Sequence, residues 1–268
     1  MSTPKILTLD IETAPITAYT WGLFKQNIGL NQIKTDWHLL AFAAKWYGDP
    51  ASKIIYHDSR REKDVHNDKH LIQKLSDLLN RADIVVTQNG EQFDLKKINA
   101  RAVIHGLPPI RPCASTDILK EGRKVFSFTS HKLEYVADKV NKKYKKLKHN
   151  KYPGFELWSA ILNGDQKAWK EMEIYTKHDV LSTEEIYTII QGWISTQAIS
   201  SFNDEAKMQC RCGSTKLRKE GFAYTPAGKY QIYHCLRKGC GKWPRSPFNL
   251  LSAEKRRNTL REYRGGRD

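Results

Sequence analysis

Near its start the chain carries an apolar run that ends in acids: Ile6-Leu7-Thr8-Leu9-Asp10-Ile11-Glu12-Thr13. Residues 4–13 read as a strand, with Ile6, Leu7, Leu9 and Ile11 supplying the apolar run. Side chains two apart on a strand share a face, so Asp10 and Glu12 are neighbours on one side and Leu9 and Ile11 lie on the other. Burying two like charges side by side is costly unless something positive neutralises them. A divalent cation would do so, and so would ordinary salt bridges at a strand end. The pair alone does not choose between them. It does demand a fold that brings a largely buried strand to a polar site.

The remaining pattern supplies that setting. Residues 38–48 and 52–58 read as two further strands, joined through the Gly48-Asp49-Pro50 turn. Residues 67–81 are predicted helical, with Leu71, Ile72, Leu75, Leu78 and Leu79 on one face. A short buried strand over 82–88 is broken by Asn89-Gly90, and a helix follows through Leu95, Ile98, Ala102 and Val103 to Gly106. A short strand is expected over 112–119 and a helix over 131–141. Residues 165–197 carry a long helical pattern, with a break expected near Tyr175–Asp179. No repeat is present. This order lacks the strict strand–helix alternation of a dinucleotide-binding fold, and no glycine-rich phosphate loop follows the first strand. The expected class is α/β, with a mixed central sheet flanked by helices.

Two more acidic stations follow. Asn89-Gly90-Glu91-Gln92-Phe93-Asp94 sits at a strand-to-helix transition, where Asp94 falls in the first helical turn. An acid there is favoured by the helix dipole whether or not it has a function. Tyr175 and Asp179 are four apart on the late helix and share a face. That spacing is common on surfaces too, and His178, one position off, reads best as a surface histidine.

In combination and order the stations are more telling. The D-x-E of the first strand, N-G-x-x-F-D after an inner strand and Y-x-x-x-D on a late helix resemble the DEDD superfamily of 3′–5′ exonucleases. The tyrosine ending resembles the DEDDy branch, which includes the proofreading domains of family B DNA polymerases. A histidine branch would need His at 174, where the chain has Ile174. The segments LTLDIETAP, AFAAKWYGD, VVTQNGEQFDLKKINARAVIHG and LNGDQKAWKEMEIYTKHDVLSTEEIY look like stand-alone phage or prokaryotic relatives of those domains, over roughly residues 4–195.

The resemblance implies a ribonuclease H-like fold and a two-metal mechanism. Asp10, Glu12, Asp94 and Asp179 would hold two Mg²⁺ or Mn²⁺ ions, for which oxygen ligands are suited. Tyr175, with a phenol pKa near ~10, would orient the attacking water without serving as a base. Thr13, Asn89 and Phe93 are candidates for nucleic-acid contact, although Asn89 is equally readable as a turn residue and Phe93 as a core anchor. Phe126, Phe128, His131 and Lys132 are better read as core than as base-stacking residues. Lys142, Lys143, Lys145, Lys146, Lys148 and Lys151 read equally as a phosphate track or a solvated loop.

Charge and cysteines divide the chain. The net charge is +16, of which residues 201–268 hold +10. Cys113 stands alone, whereas Cys210, Cys212, Cys235 and Cys240 crowd together. Four thiols in two close pairs suit tetrahedral Zn²⁺. Phe222–Tyr224 and Tyr230–Tyr233 alternate as two strands of a hairpin around Pro226–Lys229. The outline resembles the zinc ribbons of transposases and related DNA-binding proteins, but both knuckles depart from C-x2-C spacing, which leaves His234 open as an alternative ligand. Lys216, Arg218, Lys219, Arg237 and Lys238 are candidate phosphate contacts on this module. Cys113 reads as a core residue.

The expected organisation is a nuclease domain over 1–199, a linker near 200–206, a ribbon over 207–246 and a basic tail over 247–268 whose last ten or so residues are disordered when free. No stretch approaches the roughly 18 apolar residues of a membrane span, and the start lacks a signal-peptide layout. The expected function is a metal-dependent 3′–5′ exonuclease acting on single-stranded 3′ ends of DNA, in a bacterial or phage-infected cytoplasm. It would work alone or beside a polymerase or recombination protein. The alternatives are an RNase or structure-specific nuclease on the same fold, and a non-catalytic nucleic-acid-binding protein.

Overall fold

The computed structural model describes residues 4–145, 147, 151–195 and 207–260. They form two compact units, Pro4–Ile190 and a smaller one from Gln191 onward. The larger unit is built from β1 (Ile6–Thr13), β2 (Thr17–Ala18), β3 (Ile33–Thr35), β4 (Leu39–Trp46), β5 (Ile55–Asp58), α1 (Lys69–Asn80), β6 (Ile84–Thr87), α2 (Asp94–Ile104), β7 (Ala114–Asp117), α3 (Ile118–Val125), α4 (Leu133–Val140), α5 (Glu156–Leu162) and α6 (Gln166–Ile190). The smaller unit contains β8 (Leu217–Thr225), β9 (Gly228–Cys235) and α7 (Ala253–Asn258).

The main sheet has the order β5-β4-β1-β6-β7. The β1–β4 and β4–β5 pairs are antiparallel, while β1–β6 and β6–β7 are parallel. This is the expected mixed sheet, with β1 at its centre. Alternation along β1 sorts its side chains by face. Leu7, Leu9 and Ile11 join Phe42, Leu71, Leu75 and Ile98 in a core beneath α1 and α2. Asp10 and Glu12 are on the opposite face, where α5 and α6 pack Leu157, Trp169 and Met172 against Leu40 and Ala41 of β4.

Several elements differ from the sequence expectation. β2 and β3 form a small separate sheet that the pattern did not announce. The short helices α3 and α5 were also missed, since eight and seven residues give too few turns for a periodic signal. The expected break in the late helix is absent, and α6 runs unbroken through Tyr175 and Asp179. Docking on the sheet sustains it, with Met172, Thr176, Val180 and Thr183 all buried. The expected linker 200–206, Lys146, Lys148 and the last eight residues of the tail lie outside the described residues. Among the described residues, no helix is long and apolar enough to cross a membrane.

Candidate active site

The site gathers where β1, α2 and α6 meet. Glu12 and Asp94 are buried, at 8% and 3% exposure, and Asp10 and Asp179 are half-buried. Asp94 begins α2 and accepts a hydrogen bond from the Ile11 backbone N–H at 3.1 Å. This bond fixes the second acidic station against the first across 83 residues of chain. On the third element, the buried Thr176 donates its hydroxyl to the Met172 carbonyl at 2.8 Å and lowers the Glu12 pKa. Tyr175 hydrogen-bonds Asp179 one turn along α6. The structure therefore brings Asp10, Glu12, Asp94, Tyr175 and Asp179 together.

Electrostatics distinguish this group from surface acids. Burial comes first among the causes that push Glu12 up to about 8, followed by the charges of Asp179 and Asp94. Asp94 and Asp179 are each pushed up to about 7, again mainly by burial. Asp10 is raised well above the carboxylate range by burial and by Asp94, Glu12 and Asp179. The largest charged influences on all four are other acids, with Asp117 adding to Asp94 and Glu134 to Asp179. Among the described residues, none of the four forms a salt bridge. The set is all-oxygen and self-repelling, the donor chemistry that hard divalent cations take.

The segment before Asp94 is held in an uncommon conformation. Asn89 has φ 66°, in the left-handed region. Asp117, at the end of β7, accepts from the N–H groups of Asn89 (2.9 Å) and Glu91 (3.2 Å). The same carboxylate caps α3 through Leu119 and Lys120. Gly90 has no room for a side chain, because a Cβ would stand 2.4 Å from the Thr87 side chain. Asn89 is thus a turn residue, one of its two sequence readings. Phe93 is 40% exposed, which removes the core reading, and Lys97 stands 5.0 Å from its ring. Asp117 was overlooked in the sequence, although an acid immediately before a helix is an N-cap signal.

A cavity of about 260 Å³ opens beside the acids, lined by Lys132, Glu134, Tyr175, His178, Asp179 and Ser182 among others. His178 is half-buried, with its ring edge-on to Tyr144. Phe126 and Phe128 are half-buried, pack on each other at 5.2 Å and line a small recess with Ile118 and Ile186. Lys132 is exposed. Thr13 ends β1 at a register shift.

A family model of the RNase H superfamily matches residues 7–191. The chain belongs to the RNase H superfamily. Its sheet order and carboxylate-bearing central strand are thus those of an RNase H-like α/β domain, a nuclease fold whose members use divalent metals and act on nucleic acid. The chain is also similar to the family B DNA polymerase of the hyperthermophilic archaeon Pyrobaculum calidifontis, with a TM-score of 0.50 and 15% identity over 74% of this chain. It spans 25% of that polymerase's length, and at this identity the likeness concerns fold alone. No curated protein matches the chain.

The smaller unit holds a second donor cluster. The sulfurs of Cys210, Cys212, Cys235 and Cys240 all lie within 4.8 Å of one another. Cys210–Cys240 and Cys212–Cys235 are 3.8 and 3.7 Å apart. Four thiolates at about 2.3 Å from a tetrahedral ion would be about 3.8 Å apart, so the quartet fits one metal. The irregular knuckle spacings are absorbed by glycines. Gly213, Gly239 and Gly241 have φ of 83°, 82° and 58°, and the Gly213 N–H closes the first knuckle on the Cys210 carbonyl. His234 stands apart from the quartet, stacked on Trp243 at 4.4 Å. Cys113 packs against the main core. Lys216, Arg218, Lys219, Arg237 and Lys238 are all exposed, although Arg218 pairs with Glu220 and Arg237 donates to the Cys212 carbonyl.

Proposed function

We propose that the protein is a metal-dependent 3′–5′ exonuclease of the DEDDy type that acts on DNA, with single-stranded 3′ ends as its substrate. The observation that carries this reading is the quartet Asp10, Glu12, Asp94 and Asp179, two buried and two half-buried, whose strongest charged neighbours are acids. These carboxylates would hold two Mg²⁺ or Mn²⁺ ions. The bound ions supply Lewis acidity at the scissile phosphate and an acidified water.

The chain's own residues do the positioning. The Tyr175 pKa is raised by burial and by Asp179, Glu12 and Asp10, so the phenol stays protonated at neutral pH. It therefore orients a water by hydrogen bonding and does not remove its proton. The cavity beside Tyr175 and Asp179 would receive the terminal nucleotide, and Thr13, Asn89 and Phe93 are the candidate contacts to the strand. Hydrolysis there releases nucleoside 5′-monophosphates. The four cysteines hold one Zn²⁺, which makes residues 207–246 a zinc ribbon whose Lys216, Arg218, Lys219, Arg237 and Lys238 hold phosphates.

The test is a 5′-labelled DNA strand incubated with protein and Mg²⁺ or Mn²⁺. A descending ladder with mononucleotide release is expected, and its loss in Asp10→Ala/Glu12→Ala with the fold retained. Wild-type rates in that double variant would refute the assignment. A matched RNA strand separates the DNA reading from the RNase reading, because only the DNA should ladder.

A further inference from the structure

We propose that the arm formed by β2, β3 and the residues between them is a base-stacking platform for the single strand that enters the site. The arm leaves the site directly, since β1 carries Asp10 and Glu12 and ends at Thr13, and β2 begins at Thr17. It returns through β3 to β4, which pairs with β1 alongside those acids. Its tip is strongly apolar and open to solvent: Tyr19 is 68% exposed, Trp21 99%, Leu23 92%, Phe24 85% and Leu30 88%. A contiguous group of this kind marks an interaction site.

The arm is a built feature. β2 pairs with β3 through Thr17–Thr35 and Ala18–Ile33. Gln32 staples the base of the loop, donating to the Tyr19 carbonyl at 2.9 Å and accepting from the Gly29 N–H at 2.8 Å. Thr20 and Gln26 tie the turn to the carbonyls of Gly22 and Phe24, and Lys25 sits in the left-handed region at φ 51°. The aromatic rings are thus presented to solvent on an ordered support.

Charge selects the occupant. From Thr13 to Thr35 the sequence contains no acid, while Lys25 and Lys34 are both exposed. An acid-free arm with aromatic rings, two lysines and the amides of Gln26, Asn27 and Asn31 complements a nucleic-acid strand. Rings stack on bases of any sequence, and lysines meet phosphates. The inference rests on the nuclease reading only for the direction from which the strand arrives.

The test compares wild type with Trp21→Ala/Phe24→Ala. These side chains are exposed enough that their removal leaves the fold intact, which circular dichroism checks. Binding is read by anisotropy on a fluorescent oligodeoxythymidylate of roughly 20 nucleotides whose 3′ end is blocked by phosphorothioates. Loss of stacking should weaken binding about tenfold or more. On cleavable DNA the loss in kcat/KM should be larger for the long strand than for a dinucleotide, with sedimentation unchanged. Unaltered oligonucleotide affinity overturns the proposal. A variant with unaltered affinity but a changed sedimentation coefficient also overturns it, because the arm is then a contact between copies of the chain. The two readings fail separately. Protein that binds the strand through the arm but never cleaves it sinks the nuclease reading alone, whereas a variant that binds and cleaves like wild type sinks the arm alone.

Discussion

Glu12 shows how strongly burial among like charges biases a single residue toward its protonated form. Its ordinary value of 4.5 rises to about 8 in the folded chain, first through burial and then through Asp179 and Asp94. The folded state therefore favours the protonated form. Its stabilisation is complete below about 4.5 and is lost as pH rises through about 8. Asp94 and Asp179 act in the same direction, with losses that run up to about 7. Metal-free protein should melt at progressively lower temperature between about pH 4.5 and 8, measured by calorimetry in chelator. Glu12→Gln should flatten that slope and stabilise the chelated protein at pH 7 by about 1–3 kcal/mol. Millimolar Mg²⁺ should raise the wild-type melting temperature and leave the variant less affected. A metal-free protein that gains stability toward pH 8 contradicts this account. Tyr175→Phe keeps the ring and removes the hydroxyl. It should slow cleavage by about 10–100-fold at unchanged strand affinity, a KM-against-kcat split.

At the scale of elements, the site depends on three pieces that meet through few bonds. α2 is placed by Asp94 on Ile11, and the loop ahead of it by Asp117 on Asn89 and Glu91. Farther along α2, buried Asp68 accepts from Arg101 and from the Leu39 N–H, tying α2 to β4. Asp117→Ala removes the α3 cap and takes the acceptor from the part-buried Asn89 and Glu91 N–H groups, so urea unfolding should show a loss of about 1–2 kcal/mol. Cleavage should fall with it even where the variant is fully folded, because the freed loop no longer delivers Asp94. Much of this level was legible in advance. The strand β1, the helices α1 and α2 and the three acidic stations follow from local spacing. The left-handed Asn89 was not legible as such, since the bond that holds it comes from a residue 28 positions away.

Taken as a whole, the molecule joins two units with different sources of stability. The larger buries aliphatic cores on both faces of its sheet. In the smaller, β8 has no buried residue, and β9 buries only its end residues Gly228 and Cys235. The described core around the quartet is the cysteines with Leu217. A unit so poor in apolar contacts needs a staple. Elemental analysis should find about one zinc per chain, and Cys235→Ser/Cys240→Ser should lose it together with the order of the hairpin, seen as lost amide dispersion in NMR spectra. Neutralising Lys216, Arg218 and Lys219 should flatten the salt dependence of DNA binding, by about 0.7 in log–log slope for each phosphate contact removed on a single strand. An unchanged slope places the phosphate contacts elsewhere.

The sequence by itself determined the α/β class, the pairing of Asp10 with Glu12 on one strand face, the sharing of a helical face by Tyr175 and Asp179, and the four candidate thiols. Each follows from local periodicity or residue chemistry, which neighbouring residues set. Only the tertiary structure decided which sheet face α6 covers, that α6 runs unbroken, that Asp117 holds the Asn89 turn, and that His234 stacks on Trp243 while the cysteines converge. Those outcomes depend on packing between segments far apart in the chain. No local window contains the atoms that make such contacts.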